Sequence, residues 1–191
     1  GQLDFRMDGT PYSILITEAE CFPQAYAAAI PVFQKLQQLP RAIIVDIGGF
    51  TADYLQIKYG EVDLSVCDSL ENGVIVLYNR IRSKINADFD MLLEESDIDA
   101  ILINKAQEYD EVACRIVREQ AQLFIDDLAG KLRERMIDLR TGKTAFVGGG
   151  SILLRKQIED CSKISPALFV DELSANTRGY ELLYRASKFG G

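Results

Sequence analysis

The sequence predicts an α/β fold, because apolar runs typical of buried strands alternate with longer segments of helical periodicity. Three strand-like runs follow one another between residues 42 and 68, and turns join them, which predicts an antiparallel meander. From Gly73 to about residue 137 the apolar residues recur at helical spacing instead. Strand character returns in "KTAFV", residues 143–147. A chain of 191 residues that is 48% hydrophobic can bury a core as one globular unit or two small ones.

The first forty residues predict a strand and an interrupted helix. "PYSILITEAECF", residues 11–22, has the partial alternation of a strand, and "PQAYAAAIPVFQKLQQL", residues 23–39, follows as a helix. Pro23 suits the first turn of that helix. Pro31 lies inside it and is predicted to kink it, because proline lacks the amide that the helix ladder needs.

The predicted meander consists of "AIIVDI", "DYLQIKYG" and "EVDLSVCD", with Gly60 in its second turn. The helical part begins with "GVIVLYNRIRSKINADF", residues 73–89. "MLLEESDIDAILIN", residues 91–104, predicts two short helical pieces with Ser96 or Asp97 as an N-cap.

A long helix is predicted from Asp110 to about Ile137, with Gly130 as its weak point. "KTAFVGGGSILLRKQIED" then predicts a strand, a glycine turn and one helix. A short strand, "ALFV", precedes the last helix, "NTRGYELLYRASKF", for which Asn176 is the predicted cap.

Composition excludes several classes of function. The net charge of −8 argues against direct binding to nucleic acid or to an anionic membrane, since phosphate surfaces require clustered Lys and Arg. The chain has no histidine, which removes Ser-His-Asp and Cys-His catalysis and imidazole metal sites. Its four cysteines are far apart, as expected for reduced thiols in a cytoplasmic protein. The cysteines are Cys21, Cys67, Cys114 and Cys161.

The first glycine turn, "DIGGFTAD", interrupts an apolar run with residues suited to phosphate. Gly48 and Gly49 permit close approach of a ligand, and their amides, with that of Phe50, can form a nest for phosphate oxygens. The Thr51 hydroxyl adds a donor, and Asp46 is placed to hold hydrated Mg²⁺ or to orient a water. Taken alone, however, this turn is better interpreted as an ordinary Asx-type turn.

The second glycine turn, "FVGGGSILL", changes that balance. Gly148, Gly149 and Gly150 lie between a buried strand and an amphipathic helix, where they give a flat group access to the backbone. The helix N-terminus, opened by Ser151, offers free amides and a positive dipole end. A loose connection would usually need one glycine, so two such turns facing one cleft indicate a binding site.

These motifs resemble those of a known superfamily. "VDIGGFTADYLQI" resembles the second phosphate motif of the actin, sugar kinase and heat-shock chaperone superfamily, and "FVGGGSILL" resembles its adenosine motif. Within the superfamily the chain is similar to the plasmid-segregation actins of the bacterial ParM/StbA family from about Tyr12 onward. The supporting segments are "CFPQAYAAAI", "ENGVIVLYNRI" and "NTRGYELLY".

The resemblance implies a ribonuclease H-like, actin-type ATPase half with an inserted helical subdomain. Residues 41–69 and 141–175 would form the large subdomain, residues 70–140 the insertion, and residues 1–40 and 176–191 remnants of, or connections to, another half. It also implies site roles and cofactors, namely ATP or GTP with Mg²⁺. Asp46 would be catalytic and bind Mg²⁺ through water. Gly48, Gly49, Phe50 and Thr51 would contact the β- and γ-phosphates, and Asp53 would be a nucleotide-binding residue near the hinge or the phosphates. Gly148, Gly149, Gly150 and Ser151 would contact adenosine.

The family's first phosphate motif, an early hairpin of the pattern D-x-G-[NTS], does not precede Tyr12. The opening "GQLDF" also has the character of an internal start. We therefore expect a C-terminal piece of a longer protein, which alone hydrolyses ATP negligibly because one phosphate clamp is missing. Apolar residues of the first strand and last helix are expected to favour self-association. These are Ile14, Ile16, Leu182, Leu183, Ala186 and Phe189.

By the same resemblance, the expected function is that of an actin-like ATPase that polymerises into filaments in plasmid or DNA segregation. An adaptor protein would link such filaments to DNA. Two alternatives remain open at this point. One is an ATP-switched chaperone or cell-division relative without a filament, and the other is a sugar or acetate kinase of the same superfamily.

Overall fold

The computed structural model describes residues 1–103, 105–172 and 174–189, with seven strands and eight α-helices. The strands are β1 (Gln2–Met7), β2 (Thr10–Leu15), β3 (Arg41–Ile47), β4 (Ala52–Lys58), β5 (Glu61–Leu70), β6 (Lys143–Val147) and β7 (Leu168–Phe169). The helices are α1 (Gln24–Ala29), α2 (Phe33–Leu36), α3 (Val74–Phe89), α4 (Glu95–Leu102), α5 (Glu111–Glu134), α6 (Gly149–Leu153), α7 (Arg155–Asp160) and α8 (Ala175–Phe189). Short 3₁₀ turns cover Ile30–Val32 and Ala106–Glu108.

A mixed five-stranded sheet organises the fold, in the order β5-β4-β3-β6-β7. The predicted meander is confirmed, because β4 pairs antiparallel with both β3 and β5. On its other side β3 pairs with β6 in parallel, and β6 pairs with β7 in parallel. The predicted α/β class is thus confirmed, and β3 is the central strand.

Both faces of β3 are buried, which explains why this strand is almost wholly apolar. Ile43, Val45 and Ile47 point into a core built with α3, α4, α5 and α7. Ala42 and Ile44 point the other way, into a core shared with α1 and α8. Side chains alternate between the faces of a strand, so the next even-numbered residue of β3, residue 46, is directed toward α1 and α8.

The N-terminal segment differs from the prediction, because β2 pairs with an unpredicted strand. β1 and β2 form a two-stranded antiparallel hairpin that is separate from the main sheet. Its turn contains Asp8 and Gly9, both with positive φ. A hairpin therefore does precede most of the region of resemblance, although its sequence is not the D-x-G-[NTS] pattern. One face of the hairpin is apolar and exposed; it consists of Leu3, Phe5, Met7, Tyr12 and Ile14.

Several helix boundaries also differ from the predictions. Pro31 breaks the first helix into α1, a 3₁₀ turn and α2, a larger interruption than a kink. The segment from residue 91 contains the single helix α4, capped by Glu94 in a capping box with Asp97 at the third position. The predicted caps Ser96 and Asp97 therefore lie within α4, and Asn104, which ends the segment, lies outside the described residues.

The later helices show one confirmed prediction and two corrections. The long helix α5 is confirmed, with the Asp110 side chain accepting from the amides of Val112 and Ala113. The helix predicted after β6 is divided at Leu154 into α6 and α7. Asn176 was wrongly predicted as a cap; it lies inside the first turn of α8, and its side chain is bonded elsewhere.

Helices α1 and α8 pack in backbone contact. A Cβ added to Gly179 of α8 would lie 1.8 Å from the carbonyl oxygen of Ala27 in α1, so glycine is required there. At the far end of α8, Lys188 forms ion pairs with Glu18 and Glu20, at 2.8 and 2.9 Å. None of the helices in the described part of the chain has the length and apolar character needed to cross a bilayer.

Candidate functional site

The two glycine turns lie side by side. Strands β3 and β6 are parallel neighbours in register, with Asp46 opposite Val147, so both strands end at the same edge of the sheet. The first turn, residues 48–51, follows β3, and the second, residues 148–150, follows β6. The structure therefore brings together the two motifs that are about a hundred residues apart in the sequence.

The first glycine turn caps helix α3. The carbonyls of Phe50, Gly48 and Gly49 accept hydrogen bonds from the amides of residues 73, 74 and 75, each at 3.0 Å. These amides open α3 and would otherwise lack partners. Gly73 fits closely beneath the turn, because a Cβ on it would lie 2.3 Å from the Gly49 carbonyl oxygen. Three of the four carbonyls of the turn are thus used by the start of α3.

This capping determines which amides are available to a ligand. In a trans peptide the carbonyl and the next residue's amide point in opposite directions. The amides of Gly49, Phe50 and Thr51 therefore face away from the start of α3, and within the described residues none of them has a protein acceptor. The Gly48 amide is bonded to the Thr51 carbonyl at 2.9 Å. Of the three amides in the predicted nest, that of Gly48 is therefore already bonded within the protein, whereas those of Gly49 and Phe50 are available.

Asp46 is the buried carboxylate of the site. It is only 2% exposed and lies at the end of β3, on the sheet face that α1 and α8 cover. Its Oδ2 accepts hydrogen bonds from Nε2 of Gln24 at 3.4 Å and from Nδ2 of Asn176 at 3.2 Å. Asp53 lies directly opposite it in the β3–β4 pair. The sequence reasoning missed Gln24 and Asn176 as site residues.

The pKa of Asp46 is raised above its ordinary value. The largest cause is burial, which disfavours the charged form, and the negative charge of Asp53 adds to the increase. The hydrogen bonds from Asn176 and Gln24 oppose the shift without cancelling it. A cation close to Asp46 would favour the ionised carboxylate and would therefore lower this pKa.

The second glycine turn approaches β3 very closely. Gly148 has φ of +86°, and a Cβ there would lie 2.2 Å from Oδ1 of Asp46. A Cβ on Gly150 would lie 2.6 Å from the Ile47 side chain. Ser151 does not open the helix as predicted; it is buried in α6, and its hydroxyl donates to the Val147 carbonyl at 2.6 Å. The Ser151 hydroxyl is therefore already engaged within the protein.

A pocket of about 400 Å³ runs from the two turns toward the helical part of the chain. Tyr78 of α3 and Asp99 of α4 lie in its wall, and the Tyr78 hydroxyl donates to Asp99 Oδ1 at 2.6 Å. Burial, followed by this bond, raises the pKa of Tyr78. The remaining lining residues are Gly48, Gly49, Val74, Ile103, Gly149, Gly150, Ile152 and Leu153. The polar Tyr78–Asp99 pair was also missed from the sequence, since nothing in the spacing of α4 distinguishes Asp99.

The other predicted site residues hold different positions. The Phe50 side chain is 76% exposed and does not line the pocket, so this residue offers the site only its backbone. The Thr51 hydroxyl donates to Asp53 Oδ2 at 3.3 Å. Asp53 is half-buried. Thr51 and Asp53 therefore lie side by side at the edge of the turn, and the Thr51 hydroxyl is already used as a hydrogen-bond donor within the protein.

The residues around Asp46 fit a hydrated Mg²⁺ held partly by a ligand. Among the described residues, no three acidic or sulfur-bearing side chains cluster as a self-sufficient metal site. Mg²⁺ commonly uses one or two carboxylates, with waters and phosphate oxygens completing its octahedron. Asp46 can serve as such a carboxylate through Oδ1, because both amide hydrogen bonds go to Oδ2 and a nearby cation would offset the effect of burial on its pKa.

Solved structures similar to this chain include an archaeal actin homologue, an Alp12 filament and a ParM protein. The archaeal actin homologue Ta0583, solved in complex with ADP, has a TM-score of 0.66 at 22% identity, over 97% of this chain and 64% of that one. The Alp12 filament structure has a TM-score of 0.68 at 18% identity, over 98% of this chain and 60% of that one. A Bacillus thuringiensis ParM hybrid protein with ADP has a TM-score of 0.66 at 13% identity, over 95% of this chain and 29% of that one.

The chain thus spans less than two thirds of the length of each of these proteins. No curated protein matches it by sequence. The sequence profile of the family described as archaeal actin homologue MreB-like, C-terminal, matches residues 44–160, which include both glycine turns and the helices between them. Since that match covers more than half of the chain, the chain belongs to this family of MreB-like archaeal actin homologues.

Proposed function

We propose that the chain is the nucleotide-binding C-terminal part of an actin-like ATPase that assembles into filaments. One observation carries the proposal: two glycine turns meet at the ends of adjacent parallel strands, with the buried carboxylate of Asp46 between them. Support comes from the fold neighbours, of which Ta0583 was solved with ADP and Alp12 as a filament.

The first glycine turn would bind the β- and γ-phosphates. The amides of Gly49, Phe50 and Thr51, which have no protein acceptor among the described residues, would be the donors. The pocket beside the turn extends toward Tyr78 and Asp99, where the nucleoside would lie. Gly148, Gly149 and Gly150 would bring the second turn's backbone against the nucleoside, as expected from the resemblance.

Asp46 would act on the water that attacks the γ-phosphate. Its Oδ1 edge lies against the second turn and its Oδ2 is held by two amides, so the carboxylate is oriented before a ligand arrives. Mg²⁺, when bound with the nucleotide, would neutralise phosphate charge. Asp46 would hold one of the waters of that ion or orient the attacking water, as a positioned hydrogen-bond acceptor.

The cellular role follows the resemblance to the ParM/StbA proteins. We propose a cytoplasmic filament that moves plasmid or other DNA through an adaptor protein, because the acidic chain, at −8, is unsuited to direct DNA contact. Filament formation by the whole protein is tested by light scattering with ATP and with ADP. A rise in scattering that requires ATP supports this role, whereas ATP binding without any increase in scattering favours a non-filamentous switch.

Nucleotide binding is tested with Gly49→Val. A Cβ at Gly49 meets no protein atom within 4 Å, so the valine is compatible with folding but projects into space that a ligand would use. We expect ADP and ATP affinity, measured by calorimetry, to fall by about tenfold or more, as overpacking costs predict. Gly130→Ala is the control, because Gly130 also faces open space but lies in α5, away from the pocket lining.

The same experiment can refute the proposal. An unmodified chain that binds neither ADP nor ATP at millimolar concentration would overturn it. Equal affinities for Gly49→Val and the control would show that nucleotide binds somewhere other than the first glycine turn.

A further inference from the structure

Asn176 links the last helix to the buried carboxylate. Its Nδ2 donates to Asp46 Oδ2 at 3.2 Å across 130 residues of sequence. Gln24 donates to the same oxygen at 3.4 Å, close to the longest acceptable hydrogen bond. The contact from Asn176 is therefore the shorter of the two. Neither amide contacts the other carboxylate oxygen, Oδ1.

The position of Asn176 is strongly constrained. The neighbouring Ala175 is buried in the core between α1 and the sheet, and Gly179, one turn later, touches the Ala27 backbone. Lys188 secures the other end of α8 through Glu18 and Glu20. Because α8 is anchored at these three places, packing fixes the backbone position of Asn176 independently of Asp46.

The two oxygens of Asp46 consequently have different surroundings. Oδ2 faces the amides of α1 and α8, while Oδ1 lies where a Cβ on Gly148 would be only 2.2 Å away. A donor on one oxygen fixes the plane of the carboxylate and leaves the other oxygen for a ligand. In addition, Oδ1 of Asn176 is buried and has no hydrogen-bond partner among the described residues, so it can accept from a bound water at the same place.

We propose that Asn176 is a positioning residue of the nucleotide site, which orients Asp46 toward the second glycine turn through its side-chain amide. Its effect on nucleotide rests on the proposed function, whereas its hold on Asp46 does not. Groups that hydrogen-bond a metal-associated carboxylate typically change metal affinity or activity by about 10- to 100-fold when removed. Asn176 thus couples α8, a helix outside the two glycine motifs, to the reacting end of the site.

The first test is a double-mutant cycle on the chain without nucleotide. Asn176→Ala should lower the urea midpoint of unfolding when Asp46 is present and should have little effect in the Asp46→Ala background, because the amide then has no carboxylate to bind. Thr177→Ala, on an exposed position of the same turn, should shift the midpoint equally in both backgrounds. Equal shifts for Asn176→Ala in both backgrounds would overturn the proposed contact.

The second test separates positioning from nucleotide binding. The affinity of ATP is measured with Mg²⁺ and with EDTA for the unmodified chain, Asn176→Ala and the isosteric Asn176→Asp. We expect the strengthening by Mg²⁺ to fall about tenfold in Asn176→Ala, with the affinity in EDTA unchanged. In Asn176→Asp the strengthening should change in a pH-dependent way, because a second carboxylate then faces Asp46.

An unaltered Mg²⁺ effect in both Asn176 variants would overturn the positioning role, even if the cycle shows the contact. If the unmodified chain binds no ATP at all, the proposed function is wrong, and the denaturation cycle still decides whether Asn176 holds Asp46.

Discussion

Gly179→Ala should destabilise the protein, although alanine is the better helix former. The new Cβ would lie 1.8 Å from the Ala27 carbonyl oxygen and 2.3 Å from its carbon. Real Cβ contacts essentially never fall below 3.0 Å, so α1 and α8 must separate by about 1.2 Å. Backbone lies on the receiving side, and no flexible side chain can move out of the way.

The expected magnitude is the difference between two opposing effects. Alanine replacing glycine in a helix is worth about 0.5–1 kcal/mol, as measured for exposed helix interiors. Overpacking of a close contact costs about 1–3 kcal/mol, and sometimes more. The net expectation for Gly179→Ala is a loss of up to about 2.5 kcal/mol. Gly130→Ala, near the C-terminal end of α5 with nothing within 4 Å of its Cβ, should instead gain about 0.5–1 kcal/mol.

Urea denaturation followed by circular dichroism measures both variants against the unmodified chain. The two substitutions are chemically identical and lie in helices, so their opposite signs isolate the contact with Ala27. A Gly179→Ala protein as stable as Gly130→Ala would refute the close packing of α1 on α8. A Gly130→Ala protein less stable than the unmodified chain would show that α5 is not regular at that position.

Three further predictions concern the site, the thiols and the exposed hairpin. In a protein that also carries the first phosphate motif, Asp46→Ala should lower ATP hydrolysis by about a hundredfold with nucleotide binding retained, and a full hydrolysis rate would contradict the role of Asp46. Burial, and then the contact of Sγ with Asp126 at 3.1 Å, raise the pKa of Cys161 to about 11. At pH 8 iodoacetamide should therefore modify the exposed Cys21 well before Cys161, as read by peptide mass spectrometry, and equal rates would contradict this burial. The apolar face of the β1–β2 hairpin should make the chain self-associate, so gel filtration should show a mass that rises with concentration and falls in a Phe5→Thr, Ile14→Thr variant; a monomer at every concentration would contradict it.

The sequence was most informative where one periodicity dominated. The run in β3 is apolar at consecutive positions, and the structure shows why, since odd and even residues enter different cores. The meander and the long helix α5 were also predictable, because the spacing of their apolar residues follows directly from strand and helix geometry. β1 was missed although Asp8 and Gly9, flanked by alternating apolar residues, form a strong hairpin signal.

The chemistry of the site was less predictable, because it depends on contacts between distant segments. Asp46 and the glycines stand out in the sequence, but the donors to Asp46 come from α1 and α8. Asparagine is a residue type that favours helix caps, so the sequence predicts a cap at Asn176. Its hydrogen bond to Asp46 of β3 depends instead on where α8 packs in the fold. Similarly, the Gly48 amide is unavailable to a ligand because it donates to the Thr51 carbonyl. This hydrogen bond depends on the geometry of the turn, which residue types do not reveal.

The capping of α3 by the first glycine turn has an electrostatic consequence. Each peptide of the turn accepts from an α3 amide through its carbonyl, and a peptide polarised in this way becomes a stronger donor at its own amide, by about 10–30% in condensed-phase estimates. The positive end of a 16-residue helix is thereby relayed through three peptides. The turn peptides are oriented in the same sense as those of α3, with their N–H groups directed away from the helix, so under the proposed function α3 would help to bind phosphates that it does not touch.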